Sequence, residues 1–143
     1  MDSVGSGIFL LHEYRTDKHK HNEIVENIEM YRSIGVRHLR CQCGGYGFGA
    51  APEWAAKGAQ EGVYLDSKKY MRDTVKLFEG IRSRVGFELD LVHDVHERIH
   101  PTEAVTFVKE MEPFQMFFME DVVPLEQVEW LDKIKQTSVT PLS

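Results

Sequence analysis

The spacing of apolar residues along the chain alternates between two periods, one typical of strands and one typical of helices. Short apolar or alternating runs lie at 8–14, 36–42, 87–95 and 114–120. Each run precedes a longer segment in which apolar residues recur every three or four positions. Consecutive strand and helix units of this kind predict parallel strands joined by right-handed crossovers.

The predicted helices are bounded by residues that commonly cap or break helices. The first is expected to start at Asn22 and to end at Gly35, and the second to span 67–84. The third and fourth are expected to open at Pro101 and Pro124. Their apolar stripes are predicted to pack against the strands: Ile24, Ile28, Tyr31 and Ile34; Tyr70, Leu77, Phe78 and Ile81; Ala104, Val105, Val108 and Met111; Leu125, Val128, Leu131 and Ile134.

Composition narrows the class of protein. The chain has 143 residues, of which 42% are hydrophobic and 28% charged, and this fits one globular unit spanning 1–143. The formal charge of -6 without a basic patch disfavours nucleic-acid binding. Neither a membrane-spanning run nor a signal peptide is visible, so we expect a cytoplasmic location and no membrane partner. Cys41 and Cys43 are then expected to be reduced strand residues.

Polar side chains follow three successive predicted strands. Parallel βα units form either a barrel or an open doubly wound sheet, and in both architectures ligands bind at the carboxyl ends of the strands. No glycine-rich phosphate loop joins a strand directly to a helix, so a nucleotide-binding sheet is less favoured. The residues at these ends predict one shared site: Arg40 and Gln42, Asp94 and His96, and Glu120 and Asp121.

Two carboxylates on neighbouring strands suggest a cation site. Asp94 and Glu120 suit a hard divalent ion such as Mg²⁺, which prefers oxygen ligands. Asp94 and His96 are two residues apart, so strand alternation predicts that they share a face, whereas His93 points towards the helices. Ordinary salt bridges or capping roles for the carboxylates are the alternative, and the residues alone leave both open.

A long connection and two further side chains complete the predicted site. The segment from Cys43 to Asp66 is rich in glycine and aromatic residues, and it is read either as a lid or specificity loop or as an excursion without fixed structure. His12 and Gln42 are expected to contact a substrate, with a surface or core role as the alternative for His12. His38 and His100 are expected to be structural.

Several motifs resemble one enzyme family. The stretches HDVHERIHP (93–101), FFMED (117–121) and TPLS (140–143), the last read as the opening of a fifth strand, are similar to the mannonate dehydratase branch of the enolase superfamily. That branch includes galactonate dehydratase family members and starvation-sensing proteins. VRHLRCQCGGYG (36–47) supports the same resemblance. It implies a partial TIM-type (β/α) barrel of about four βα units, with the rest of the barrel and most of the capping domain absent.

The resemblance implies a role for individual residues. Asp94 and Glu120 match the first two Mg²⁺ ligands of the family, and His96 matches the acid that assists departure of the 3-hydroxyl. Arg40 matches the arginine of the arginine–tyrosine pair that removes the C2 proton. The implied activity of the full-length protein, expected to be a homo-oligomer, is dehydration of an acid sugar of the mannonate or gluconate class to a 2-keto-3-deoxy acid.

Two departures from the family pattern bear on activity. Where the partner tyrosine is expected the chain has Ala50–Ala51–Pro52, which leaves Tyr46 as the nearest candidate and Tyr64 as another. The third metal glutamate is expected beyond Ser143. The chain alone is therefore expected to be an inactive fragment. A relative with another outcome, such as epimerisation, and a vestigial sugar-acid-binding or regulatory protein are the alternatives.

Overall fold

The strands and helices of the computed structural model are, in chain order, β1 (Phe9–Leu11), α1 (Lys18–Ser33), β2 (His38–Cys41), α2 (Ser67–Val85), β3 (Asp90–Asp94), α3 (Pro101–Glu110), β4 (Phe118–Glu120) and α4 (Trp130–Thr137). The structure describes residues 9–11, 18–42 and 66–143, and side chains within 24–42 and 66–143. The strands form one sheet in the order β1-β2-β3-β4, and each pair of neighbours is parallel. None of the described helices is long and apolar enough to cross a membrane.

The strand order follows the chain order throughout the sheet. A doubly wound sheet reverses its order at a switch point, whereas the strands of a (β/α) barrel follow one another. The observed order therefore confirms the predicted barrel segment. A parallel bridge joins Met119 to Leu142, so the predicted fifth strand begins beside β4.

One face of the sheet and the inner faces of the helices form the core. Side chains alternate along strands, so Leu39, Leu91 and Met119 lie on the helix side and are fully buried. The opposite face, which carries Arg40 and Glu120, forms the candidate site. The helices add large apolar side chains to the core: Ile24, Ile28, Tyr70, Leu77, Phe78, Ile81, Phe107, Val108 and Ile134.

Helix ends that position the strands follow their sequence signals. Asp66 caps α2, its carboxylate accepting a backbone N–H of the first turn at 3.0 Å. Gly86 follows α2 with a φ of 75°, which glycine adopts without steric cost. Pro101 is the first residue of α3, as predicted, and His100 before it forms a capping box with Glu103. His100 thus has the structural role expected of it.

The first helix differs from the prediction at its start. It begins at Lys18, so Asn22 lies inside the helix rather than at its cap. An interior asparagine costs about 0.7 kcal/mol or less, so Asn22 does not prevent a start four residues earlier. The end of the helix agrees better, because Gly35 has the expected left-handed φ, at 92°. Ile34 lies beyond the last helical residue and is 67% exposed rather than buried.

The fourth helix also starts later than predicted. Pro124 precedes a short 3-10 turn, Leu125–Gln127, and α4 itself begins at Trp130. The predicted stripe therefore breaks: Leu125 and Val128 are exposed, and Ile134 provides the buried contact of the helix. The cause is that the turn and α4 do not form one continuous helix, so Leu125 and Val128 do not lie on the same face as Ile134.

Strands β3 and β4 start later than predicted because the first residues of each predicted strand belong to the bent connection before it. The predicted strand at 114–120 opens with a 3-10 turn, Glu112–Phe114, after which Gln115 has a left-handed φ of 46°. The predicted strand at 87–95 begins at Asp90, because Arg82 donates to carbonyls of the preceding connection. Strand β2 is likewise shorter than 36–42.

Candidate active site

One arginine joins the carboxylates at the ends of β3 and β4. Arg40 Nη1 donates to Asp94 Oδ2 at 3.1 Å, and Nη2 donates to Glu120 Oε2. Asp94 and Glu120 are partners in the strand register, so their side chains project from the same face of the sheet. The structure thus brings together three residues that the sequence places at the ends of three different strands.

This cluster carries more negative than positive charge. Asp94 is 4% exposed, so its carboxylate depends on paired cations and donors. Arg40 is the guanidinium that faces both Asp94 and Glu120, and two carboxylates against one arginine leave room for a further cation. The buried Nε of Arg40 has no hydrogen-bond partner within the part of the chain that the structure describes. An unsatisfied buried donor is costly, which makes this atom a candidate contact for a bound group.

His96 reaches the cluster from the turn after β3. Its Nε2 lies 3.0 Å from Asp94 Oδ2, and its backbone N–H donates to Asp94 Oδ1 at 2.9 Å. His96 and Glu97 both have a φ of 56°, a conformation that residues other than glycine adopt rarely. This turn, and not strand alternation, therefore holds His96 beside Asp94. Burial lowers the pKa of His96, and the Asp94 carboxylate opposes that effect.

The turn that carries His96 is supported by backbone bonds to the next strand. The N–H of Val95 donates to the Glu120 carbonyl at 2.9 Å, and the N–H of Glu97 donates to the Asp121 carbonyl at 2.8 Å. Asp121 itself has a φ of 48°. Strained conformations of this kind persist where the surroundings hold them, and they are frequent at functional sites. Asp121 contributes through its backbone here, and its predicted support of a metal stays a prediction.

Gln42 lies at the end of β2 and binds the backbone of β3. Its side-chain amide donates to the Asp94 carbonyl at 3.0 Å and accepts the Asp94 N–H at 2.9 Å. The residue is buried, with 3% exposure. Its amide nitrogen and oxygen are thus both bonded to the strand that carries Asp94, and its expected substrate contact stays a prediction.

A second histidine, His93, faces the helices, as predicted. Its Nδ1 lies 2.8 Å from the Cys41 carbonyl and its Nε2 lies 2.7 Å from the Tyr70 hydroxyl. Burial lowers the pKa of His93 to about 4, so the ring is neutral near neutral pH. Because a carbonyl only accepts, Nδ1 carries the proton and Tyr70 donates to Nε2. No sequence pattern indicated Tyr70 as the partner, which lies on helix α2.

Some of the predicted site lies outside the described residues. This applies to the candidate base Tyr46, to its alternative Tyr64 and to the substrate contact His12, together with Cys43 and the predicted lid up to residue 65. Their expected roles stay predictions. Asp66, the last residue of the predicted lid segment, is the cap of α2.

The residues present fit part of a magnesium site. Two carboxylates that share one positively charged partner are the hard oxygen donors that Mg²⁺ prefers, and this ion commonly takes one or two carboxylates and keeps several waters. Asp94 and Glu120 would be those ligands. Among the side chains described within 24–42 and 66–143, no group of three or more His, Cys, Asp or Glu could hold a metal ion. A third protein ligand would therefore come from elsewhere.

Curated relatives share sequence with most of the chain. A D-galactonate dehydratase family member from Musicola paradisiaca is 32% identical over 145 residues, which cover 90% of this chain and 35% of the relative. Another family member of the same description, from Enterocloster bolteae, is 38% identical over 125 residues, covering 85% of this chain and 31% of the relative. The chain thus spans about a third of the length of these relatives.

Solved structures share the fold. An enolase from Pantoea ananatis with bound D-gluconate and magnesium has a TM-score of 0.74 and 30% identity, over 97% of this chain and 37% of that one. A mandelate racemase/muconate lactonizing enzyme-like protein from Rubrobacter xylanophilus has a TM-score of 0.68 at 16% identity, over 92% of this chain and 32% of that one, and supports the fold alone. The family model described as enolase C-terminal domain-like matches residues 23–143. The chain therefore belongs to the enolase C-terminal domain-like family.

Proposed function

We propose that the protein containing this chain is a Mg²⁺-dependent dehydratase of acid sugars of the mannonate or gluconate class. The observation that carries the proposal is the cluster of Arg40, Asp94, His96 and Glu120 at the carboxyl ends of β2, β3 and β4. The relatives named as galactonate dehydratase family members and the gluconate and magnesium bound by the Pantoea protein support the substrate class and the ion.

In the proposed reaction the substrate loses its C2 proton and its 3-hydroxyl, and the resulting enol tautomerises to the 2-keto-3-deoxy acid. When bound, Mg²⁺ supplies positive charge that stabilises the anion formed at the substrate carboxylate. Asp94 and Glu120 would hold that ion. His96, fixed against Asp94, gives a proton to the departing hydroxyl, which leaves as water.

Removal of the C2 proton needs a base. An arginine side chain stays protonated in proteins, so Arg40 would act as a base only with a partner that takes up its proton. Tyr46 is the nearest candidate for that partner.

A vestigial sugar-acid-binding or regulatory protein is the second candidate. It is favoured by Ala50–Ala51–Pro52, which stand where the partner tyrosine of the family is expected. Such a protein would bind an acid sugar without turnover. A single-domain organisation over 1–143, a cytoplasmic location and homo-oligomeric assembly stay predictions.

The test is turnover by the full-length gene product with a library of acid sugars. Release of 2-keto-3-deoxy acid is followed with Mg²⁺ and with a chelator in its place. We expect product from at least one acid sugar with Mg²⁺, none with the chelator, and loss of activity on Asp94→Asn. Asp90→Asn is the matched control, because Asp90 lies on the same strand, is exposed and pairs with His38 instead. Binding of a sugar acid without turnover would favour the regulatory protein.

A further inference from the structure

The backbone pairing of β2 with β3 ends before it reaches Asp94. The last partners in register are Arg40 and Val92. Two residues further along each strand lie Gln42 and Asp94. Here the side-chain amide of Gln42, rather than a backbone group of β2, binds the backbone of β3. It binds both the N–H and the carbonyl of Asp94, at 2.9 and 3.0 Å.

A glutamine is chemically suited to this place. Its amide carries a donor and an acceptor in one plane, as a peptide group does, so it can satisfy both peptide groups of Asp94 at once. Gln42 and Asp94 are both buried, and buried peptide groups without partners are strongly unfavourable. The geometry thus fixes the Asp94 backbone from the side of β2.

The Asp94 carboxylate is fixed separately. Its Oδ1 accepts the His96 N–H and its Oδ2 faces Arg40 and the His96 ring. Groups that orient metal ligands from behind commonly change metal affinity or activity 10–100-fold when they are removed.

We propose that Gln42 is a positioning residue that holds Asp94 for binding of the divalent cation. This inference rests on the proposed function, in which Asp94 is a metal ligand. It assigns Gln42 a different role from substrate contact, and the two roles differ in what they control. A positioning residue sets the affinity for Mg²⁺ in the absence of sugar, whereas a substrate contact sets the KM for sugar.

The experiment measures Mg²⁺ binding to the full-length gene product by isothermal titration without sugar. Gln42→Met keeps the size of the side chain and removes both hydrogen bonds. Gln42→Asn keeps the amide but is one methylene too short to reach both groups, and it serves as the second variant if Gln42→Met fails to fold. We expect the Kd for Mg²⁺ to rise about 10–100-fold in either variant. We expect the thermal midpoint to change little, which shows that the fold is kept.

His38→Asn is the matched control. His38 lies on β2 and pairs with Asp90 of β3 at 3.1 Å, at the opposite end of the same two strands. This variant disturbs the contact between the strands without touching Asp94, so its Kd for Mg²⁺ should equal that of the wild type. An equal rise in the control would show a general effect of strand pairing and would overturn the proposal.

Two other results separate this inference from the proposed function. If the wild type binds Mg²⁺ and turns over an acid sugar, while Gln42→Met keeps the Mg²⁺ affinity and raises only the sugar KM, then Gln42 is a substrate contact and the inference is wrong. If the wild type itself neither binds Mg²⁺ nor acts on any acid sugar, the proposed function fails, and the inference fails with it.

Discussion

Adjacent residues of β3 have different roles because successive side chains of a strand point to opposite faces of the sheet. His93 is fully buried against the helices, where it bonds to Tyr70, and Asp94 points into the cluster with Arg40 and Glu120. The neutral His93 ring and its partners form a fixed support behind the site. His96 follows the same strand but is placed by a left-handed turn. The orientations of His93 and Asp94 therefore come from strand alternation, whereas the position of His96 comes from the turn.

Replacing His96 tests its role as a proton donor. We expect His96→Asn in the full-length gene product to lower kcat for its acid sugar about 10²–10⁴-fold, since that is the usual contribution of a positioned acid or base. His100→Asn is the control: His100 caps α3, and asparagine is also a good cap. Steady-state rates of both variants give the comparison. Equal kcat values for His96→Asn and wild type would remove His96 from the mechanism.

The Cys41 thiol should be unreactive in the folded protein. Burial raises the pKa of Cys41 to about 12, so at pH 8 almost none of it is thiolate, the form that reacts. In a Cys43→Ser background we expect iodoacetamide to leave Cys41 unmodified under native conditions and to modify it in denaturant. Mass spectrometry of the intact protein measures both states. Rapid native modification would contradict the buried position of Cys41.

At the scale of elements, one arginine holds two connections against a helix. Arg82, near the end of α2, donates to the carbonyls of Gly86 and Leu89 before β3 and to those of Phe114 and Gln115 before β4. The planar guanidinium suits this task because its donors form a rigid fork. The starts of β3 and β4 are thereby fixed relative to α2, and with them the positions of the carboxylates at the far ends of those strands.

Arg82→Lys tests this arrangement while keeping the charge. A lysine reaches fewer of the four carbonyls, and each buried acceptor left unsatisfied costs about 1–3 kcal/mol. We therefore expect the free energy of unfolding to fall by about 1–3 kcal/mol for each carbonyl that loses its partner. Arg84→Lys, an exposed change on the same helix, should stay within about 0.5 kcal/mol of wild type. Urea unfolding followed by circular dichroism measures both variants, and similar losses in the two would argue against a special role for Arg82.

At the scale of the whole molecule, the described chain supplies the two carboxylates that we propose as metal ligands, and it covers 35% of the Musicola relative. Mg²⁺ requires near-octahedral oxygen coordination. We expect the 143-residue chain expressed alone to bind Mg²⁺ weakly and to show no turnover of mannonate or gluconate, whereas the full-length gene product acts on at least one acid sugar. Product assays on both proteins decide this. Turnover by the chain alone would show that its own residues complete the site.

Much of the fold was predictable because periodicity and helix signals act locally. The alternation of strand and helix patterns, Gly86 after α2 and Pro101 at the start of α3 were all found where they were expected. The predicted element boundaries were wrong where the chain bends locally, as at Gln115, or where a helix starts before the polar residue expected to cap it, as at Asn22. Those outcomes depend on carbonyl partners and packing far along the chain.

The sequence by itself determined which residue types stand at the ends of the strands, and parallel pairing in chain order brings those ends together. The tertiary structure alone decided how they meet. Arg40 bridges two carboxylates, Gln42 replaces a backbone partner of Asp94, and a left-handed turn carries His96. The physical reason is that these contacts join residues more than 50 positions apart or depend on φ angles that neighbouring side chains do not specify.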